Sequence, residues 1–251
     1  MTATLPVAQS EIFYPSADGE PVAETYDHFY VLLTTLAVLK QYLGETQATV
    51  LANQFMYYAQ GYPKLRVAPD VMVIFDVTPG GRDNYKIWEE GQVPSVIFEM
   101  TSSGTKDQDQ IFKKTLYEQL GVKEYWLFDP KSEWQEEQLR GYRLRGEIYE
   151  PISDSRSEPL QLRLQAEGRL INFYREDTGE KLLIPDELAQ ALRQEIVARQ
   201  QAEEQAETER QRAETERQRA ETERQRAEQA QAEVEKLKAR LRSLGANIDT
   251  E

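Results

Sequence analysis

The sequence predicts a mixed α/β chain in the order α-β-β-β-α-β, followed by a β-hairpin region and a long C-terminal helix. Three observations predict it. Residues 24–43 and 106–120 return apolar side chains at helical spacing, short β-rich runs lie between and after them, and AETERQR occurs three times unchanged over residues 206–226. With 251 residues, 39% of them apolar, the chain can bury one sizeable core and carry an appendage.

Taken in order, residues 1–20 hold Pro, Ser and Gly without periodicity and read as a surface lead-in. Residues 24–43 set Phe29, Tyr30, Leu33, Leu36, Ala37 and Leu43 on one face of an amphipathic helix that ends near Gly44. Strand-like runs follow at 49–58, 67–77 and 95–101, with the Trp88-Glu89-Glu90-Gly91 run read as a turn whose aromatic ring is available to a substrate. Residues 106–120 place Ile111, Phe112, Leu116 and Leu120 on the apolar face of a second helix stopped by Gly121. A strand at 125–128 closes on Asp129-Pro130, and alternating segments at 139–149 and 161–174 read as appended hairpin strands. The expected divisions are a lead-in at 1–20, a main domain at 21–185 and a helical tail at 186–251.

In the tail, residues 206–226 hold six Glu and six Arg, with Glu207/Arg210 and Glu209/Arg212 three apart, as neighbours on a helix are. Val234 and Leu241 at heptad position a, with Leu237 and Leu244 at d, make an apolar seam, whereas earlier heptads carry Ala and Glu there. Two readings stay open: association through the last two heptads, or a solitary charge-stabilised helix.

Composition narrows the chemistry. There is no cysteine and His28 is the single histidine, which excludes disulfides, thiolate nucleophiles and zinc sites of the thiolate or multi-histidine kind. Any bound metal must be held mainly by carboxylate oxygens, which favours Mg²⁺ or Mn²⁺. The net charge of −14 repels phosphate, so contact with DNA would need a local basic patch, a metal or a partner. No apolar run is long enough to span a bilayer and no basic-then-apolar segment opens the chain, so a cytoplasmic location away from membranes is expected.

Two acids stand where apolar strands are expected. Glu99 lies inside VPSVIFEMTSS, and Asp70 follows Pro69 at the head of the strand in RVAPDVMVIF. Alternation puts Asp70 on the face of Met72 and Ile74, and Glu99 on that of Ile97 and Thr101. If the two strands pair antiparallel, the acids meet, and two carboxylates in a dry place require a proton or a cation between them. The second helix offers Lys106, Lys113 and Lys114; Asp109, Lys113 and Tyr117, four apart, share a stripe beside its apolar face. Glu24 and His28 are also four apart and present a further acid from the first helix. The plainer readings are a turn cap for Asp70, a solvated margin for Glu99, a surface lysine at Lys113, helix-start electrostatics for Glu24, a structural or surface role for His28, and core aromatics at Tyr117, Tyr125 and Trp126.

Pro69-Asp70, Glu99 in FEMTS and the run TKDQDQIFKKTLYEQLGVKEYWLFDP together resemble the PD-(D/E)XK nuclease superfamily and, within it, the Uma-two family of bacterial endonucleases, over about residues 14–174. The PD pair is common, whereas the ordered set is specific. The resemblance implies a restriction-endonuclease-like core and metal-assisted hydrolysis of DNA phosphodiester bonds. It implies Asp70, Glu99 and the main-chain carbonyl of Met100 as ligands of Mg²⁺ or Mn²⁺, Lys113 as catalytic lysine with Lys114 as fallback, and Glu24 as an auxiliary acid. Thr101 departs from the superfamily, which carries a lysine there; a helix lysine takes over that role in the Uma-two relatives. A homodimer formed through the tail would present two sites to two strands. The competing expectation is a catalytically silent scaffold that binds a protein partner through the tail.

Overall fold

The computed structural model describes residues 12–19, 24–102, 104, 107–133 and 135–243. Most of the lead-in, Lys106 and Leu244 lie outside the described residues. The chain divides into two compact units, Met1–Leu188 and Ala189–Glu251.

The first unit runs α1 (Tyr26–Tyr42), β1 (Ala48–Ala52), β2 (Met56–Tyr57), β3 (Arg66–Val67), β4 (Val71–Phe75), β5 (Tyr85–Lys86), α2 (Ile87–Glu90) and β6 (Val96–Met100). A π-helical stretch, Gln108–Lys113, leads into α3 (Lys114–Leu120). Then come β7 (Glu124–Phe128), β8 (Leu139–Arg145), β9 (Ile148–Ile152), β10 (Arg156–Ser157), β11 (Leu162–Glu167), β12 (Leu170–Arg175) and β13 (Lys181–Leu182). A final helix, α4, spans Pro185–Ser243.

Six strands form the central sheet in the order β1-β4-β6-β7-β8-β9. All its pairs are antiparallel except β6–β7, whose strands are joined by the α3 segment as a parallel pair requires. The inner strands VMVIF, VIFEM and EYWLF are buried almost throughout because both faces of the sheet are covered. Val71, Val73, Val96, Phe98 and Trp126 pack with α1 and with the four-stranded sheet β10-β11-β12-β13. On the other face Met72, Ile74, Ile97, Tyr125 and Leu127 pack with Tyr117 of α3 and with Met56, Val67 and Tyr85 of the small sheet β3-β2-β5.

Several expectations are corrected by this packing. The predicted runs 49–58 and 67–77 each split in two, because Asn53 turns the chain at φ 51° and its N–H donates to the carbonyls of Pro69 (3.0 Å) and Asp70 (3.1 Å). The predicted turn at residues 88–91 is instead part of a helical turn, α2, closed by Gly91 at φ 73°. Of the two appended hairpins, β8–β9 extends the central sheet and β11–β12 belongs to the separate one.

Both helical faces also differ from expectation. α1 starts at Thr25, whose hydroxyl accepts the His28 N–H at 3.3 Å, and it buries His28, Val31, Leu32, Thr34, Thr35, Val38 and Leu39. Phe29 and Leu33, expected inside, are 53% and 41% exposed. The Thr34 hydroxyl donates to the Tyr30 carbonyl at 2.9 Å, which is how a threonine can occupy a buried helix face. In the second helical segment Asp109 and Tyr117 are buried while Ile111 and Phe112 point outward. Polar groups with partners inside outweigh apolar periodicity in both places.

In the second unit α4 is exposed along its described length, with Val234, Leu237 and Leu241 about half-exposed. Charge pairs Arg199–Glu203 (2.9 Å) and Arg224–Glu228 (3.0 Å) fall before the repeat and across its end, and within it Gln211 donates to Glu207 at 3.1 Å and Gln218 to Glu214 at 3.2 Å, all at four-residue spacing. Among the described residues no helix is long and apolar enough to cross a membrane.

Gly141 faces Trp126 across β7 and β8, and a Cβ there would lie 2.6–2.8 Å from the indole ring. Trp126 is 1% exposed and has nowhere to move. Gly141→Ala is expected to destabilise the fold by roughly 1–3 kcal/mol, read from urea unfolding midpoints, although alanine is intrinsically the better strand residue.

Candidate active site

Asp70 stands one residue before β4, and Glu99 is the penultimate residue of β6. The register, with Val71 opposite Phe98 and Met72 opposite Ile97, carried one residue further sets Asp70 opposite Glu99. Asp70 Oδ2 accepts the Met100 N–H at 2.7 Å, so the acid at the head of one strand secures the end of the next. Met100, whose carbonyl the resemblance nominates, is the last residue of β6 and is itself buried.

Glu99 is 1% exposed. Lys113 Nζ donates to its Oε2 at 2.9 Å and the Tyr117 hydroxyl donates to its Oε1 at 2.9 Å. Asp109 Oδ1 lies 3.0 Å from the same Lys113 Nζ, without the alignment of a hydrogen bond, and remains a buried acceptor short of a donor. The Tyr125 hydroxyl donates to the Asp109 carbonyl at 2.9 Å. The stripe of Asp109, Lys113 and Tyr117 is thus the inner face of its helical segment, and it presents an acid, a cation and a phenol to Glu99. Lys114, one residue on, sits with Nζ 3.9 Å from the Tyr142 ring centre and has no contact with the acids.

His28 is the residue that sequence reasoning set aside. It is buried, with Nε2 3.5 Å from Asp70 Oδ1 and Nδ1 3.6 Å from Glu24 Oε2. Glu24 therefore reaches the imidazole and stands beyond it from the strand acids. By sequence Tyr117 reads as a core aromatic and His28 as a structural or surface residue, and Asp109 carries no role; their four-residue spacing to Lys113 and Glu24 is the signal that points to the cluster. Thr101 is 2% exposed and its hydroxyl has no hydrogen-bond partner. A cavity of about 90 Å³, lined by His28, Thr101, Ser102, Asp129 and Lys131 among others, opens beside this cluster.

The electrostatics follow from burial. Desolvation pushes the Glu99 carboxyl up to about 8; Lys113 opposes that rise, and Asp70 and Asp109 add to it. Burial works against the Lys113 charge, yet Glu99, Asp109 and Asp70 outweigh it and keep the ammonium protonated. The same contest at His28 ends with its proton held more tightly, because Asp70, Glu24 and Asp109 outweigh desolvation. Burial, then Glu99, drives the Tyr117 phenol well up, so it remains a donor.

Three carboxylates, Asp70, Glu99 and Asp109, therefore face one ammonium and one imidazole. Among the described residues no three His, Asp or Glu side chains are gathered into a ready-made cage for a metal. The donor set nevertheless fits a hard divalent cation: its acids are oxygen donors in excess of the local positive charge, Asp109 Oδ1 lacks a donor, and Mg²⁺ is commonly held by only one or two carboxylates.

Fold and site together define an α/β protein with a buried carboxylate–lysine centre at the ends of adjacent strands. The family model described as "Putative restriction endonuclease", Uma2, matches residues 3–173, more than half of the chain, and the chain belongs to the Uma2 family. The match includes Asp70, Glu99 and Lys113 and excludes α4. Among solved structures the chain is similar to a putative nuclease belonging to DUF820 from Anabaena variabilis ATCC 29413, with 16% identity over 57% of this chain and 77% of that one and a TM-score of 0.39. No protein of curated function matches.

The raised carboxyl of Glu99 has a sign that can be measured. Between its ordinary value of 4.5 and about 8, the folded chain keeps a proton that the unfolded chain has lost. Its contribution to stability is full below the ordinary value and is lost as pH rises through about 8; His28, also raised, acts in the same direction. In chelator, the urea midpoint of the wild type is expected to fall from about pH 5 to about pH 9 more steeply than that of Glu99→Gln. Parallel profiles would show that Glu99 titrates like an exposed acid.

Proposed function

We propose that the protein is a metal-dependent endonuclease that hydrolyses DNA phosphodiester bonds in a restriction-endonuclease-like core of the PD-(D/E)XK type. The single observation that carries the reading is the strand register that sets Asp70 opposite Glu99 with Lys113 already bonded to Glu99. Family membership and the succession α1-β1-β4-β6-α3-β7 through the central sheet support it.

In this reading Asp70, Glu99 and the main-chain carbonyl of Met100 would hold Mg²⁺ or Mn²⁺, and such an ion would supply Lewis acidity toward the phosphate and make a water easier to deprotonate. The chain's own groups do the rest. Lys113, kept protonated by its acidic neighbours, offsets charge growing on the phosphate and orients the attacking water. Tyr117 fixes the rotation of Glu99, and His28 holds Asp70 while Glu24 steadies the imidazole from behind. Lys131, on the rim of the adjoining cavity, offers a cation to the incoming backbone.

Residues 21–185 form the catalytic domain and residues 186–251 a tail that brings two copies together through Val234, Leu237 and Leu241, whose apolar side chains are half-exposed in the single chain. A chain truncated before Val234 is expected to sediment as a monomer and the full chain as a dimer. Equal masses would remove the tail as the contact.

The activity is tested with plasmid DNA and Mg²⁺ or Mn²⁺. Wild type is expected to nick, and Asp70→Ala and Lys113→Ala to lose at least about a hundredfold in rate, with circular dichroism confirming that both remain folded. Equal cleavage by all three preparations identifies a contaminant. No cleavage and no heat of Mg²⁺ binding would leave a scaffold with a nuclease fold.

A further inference from the structure

Residues 53–69, the excursion between β1 and β4, differ in composition from the rest of this acidic chain. They carry Lys64 and Arg66, no Asp or Glu, and the aromatics Phe55, Tyr57, Tyr58 and Tyr62. Among the described residues neither cation enters an ion pair. The Arg66 guanidinium sits over Phe55, its Cζ 4.1 Å from the ring centre, and donates to the Tyr57 hydroxyl at 3.2 Å. Tyr62 is 65% exposed and Lys64 is exposed, while Tyr58, whose N–H donates to the Leu65 carbonyl at 3.4 Å, is half-buried and packs in part against the core. Tyr14 joins this surface to Trp88: its hydroxyl accepts the Gly61 N–H at 2.7 Å and its ring lies 5.2 Å from the half-buried indole.

The excursion is tied to the candidate active site at both feet. Asn53 N–H donates to the carbonyls of Pro69 and Asp70, so the loop leaves and returns at the catalytic acid. Arg66 precedes Asp70 by four residues, a reach of at most about 14 Å along extended chain. The excursion also covers the same face of the central sheet as Glu99's neighbours, since Met56 and Val67 share a core with Ile97 and Tyr117. A strand whose phosphate sat at Asp70 would lay its next nucleotides across this surface.

We propose that the excursion is a platform for an unpaired DNA strand, with bases stacking on Tyr62 and Tyr58 and phosphates meeting Lys64 and Arg66. Its place beside the scissile phosphate rests on the nuclease reading above; its capacity to bind does not. An unpaired strand is favoured over a duplex for two reasons. Aromatic faces recognise base faces, which a duplex hides. Two cations neutralise few phosphates on a chain of net charge −14, so stacking must carry affinity that a duplex would have to draw from charge.

The test is fluorescence anisotropy on the full chain in Ca²⁺, an oxygen-ligated cation put in place of Mg²⁺, with a labelled oligothymidylate and its duplex with oligoadenylate as probes and probe length checked by gel after each titration. The single strand is expected to bind more tightly than the duplex. Tyr62→Ala should weaken it about tenfold, the effect of losing one stacked base, while Tyr62→Phe stays within about twofold because the ring is retained. Lys64→Ala should reduce the salt slope by about 0.7. In Mg²⁺, Tyr62→Ala should raise KM and leave kcat unchanged. Duplex bound as tightly as strand, no binding of either probe, or Tyr62→Ala indistinguishable from wild type would each overturn the platform. Strand binding through Tyr62 without any cleavage by wild type would sink the nuclease reading alone, and cleavage unaffected by Tyr62→Ala would sink the platform alone.

Discussion

A carboxylate buried at the end of a strand that is covered on both faces must be answered by its neighbours, and Glu99 organises much of this molecule through that demand. One of its oxygens takes an ammonium and the other a phenol, both from the helical segment that links β6 to β7. That segment therefore cannot turn its most apolar side chains inward. Asp109 and Tyr117 occupy the inner face, and Ile111 and Phe112 are left outside. The π-helical stretch at Gln108–Lys113 coincides with this inversion, in keeping with the tendency of such turns to occur at functional sites.

The first helix obeys the same constraint from the other side. His28 lies against Asp70, so the face of α1 that carries it must point toward the sheet, and Thr34 on that face is carried inside with its hydroxyl returned to the helix backbone. The cluster is then held by parts from two helices and two strands. The Glu99 carboxyl holds its proton chiefly because it is buried, with Asp70 and Asp109 adding to the rise and Lys113 opposing it. Another buried acid, Glu124, shows the contrast: Arg143, the Trp126 N–H and the Glu158 N–H satisfy it within the fold, and it has the character of a structural ion pair.

The overall negative charge and the nuclease reading are reconciled by local composition. In the proposed reading the acid-free excursion beside Asp70 supplies positive charge where a backbone would pass, whereas the cavity lined by Lys131 also carries Asp27, Asp129 and Glu133. The long charged helix is neutral over its repeats.

Much of the architecture was legible in the sequence because it depends on local signals. Gly121 and the Asp129-Pro130 pair end elements as turn chemistry requires, the seven-residue repeat specifies a helix, and two acids in apolar runs betray a special pair before any contact is known. Alternation even assigned Asp70 and Glu99 to faces that could meet. Only the tertiary structure decided which face of each helix is buried, that Lys113 rather than Lys114 meets Glu99, and that His28, Asp109 and Tyr117 complete the cluster. Periodicity reports how apolar a face is, whereas burial of polar groups is decided by partners distant in sequence, whose positions exist only once the strands have paired.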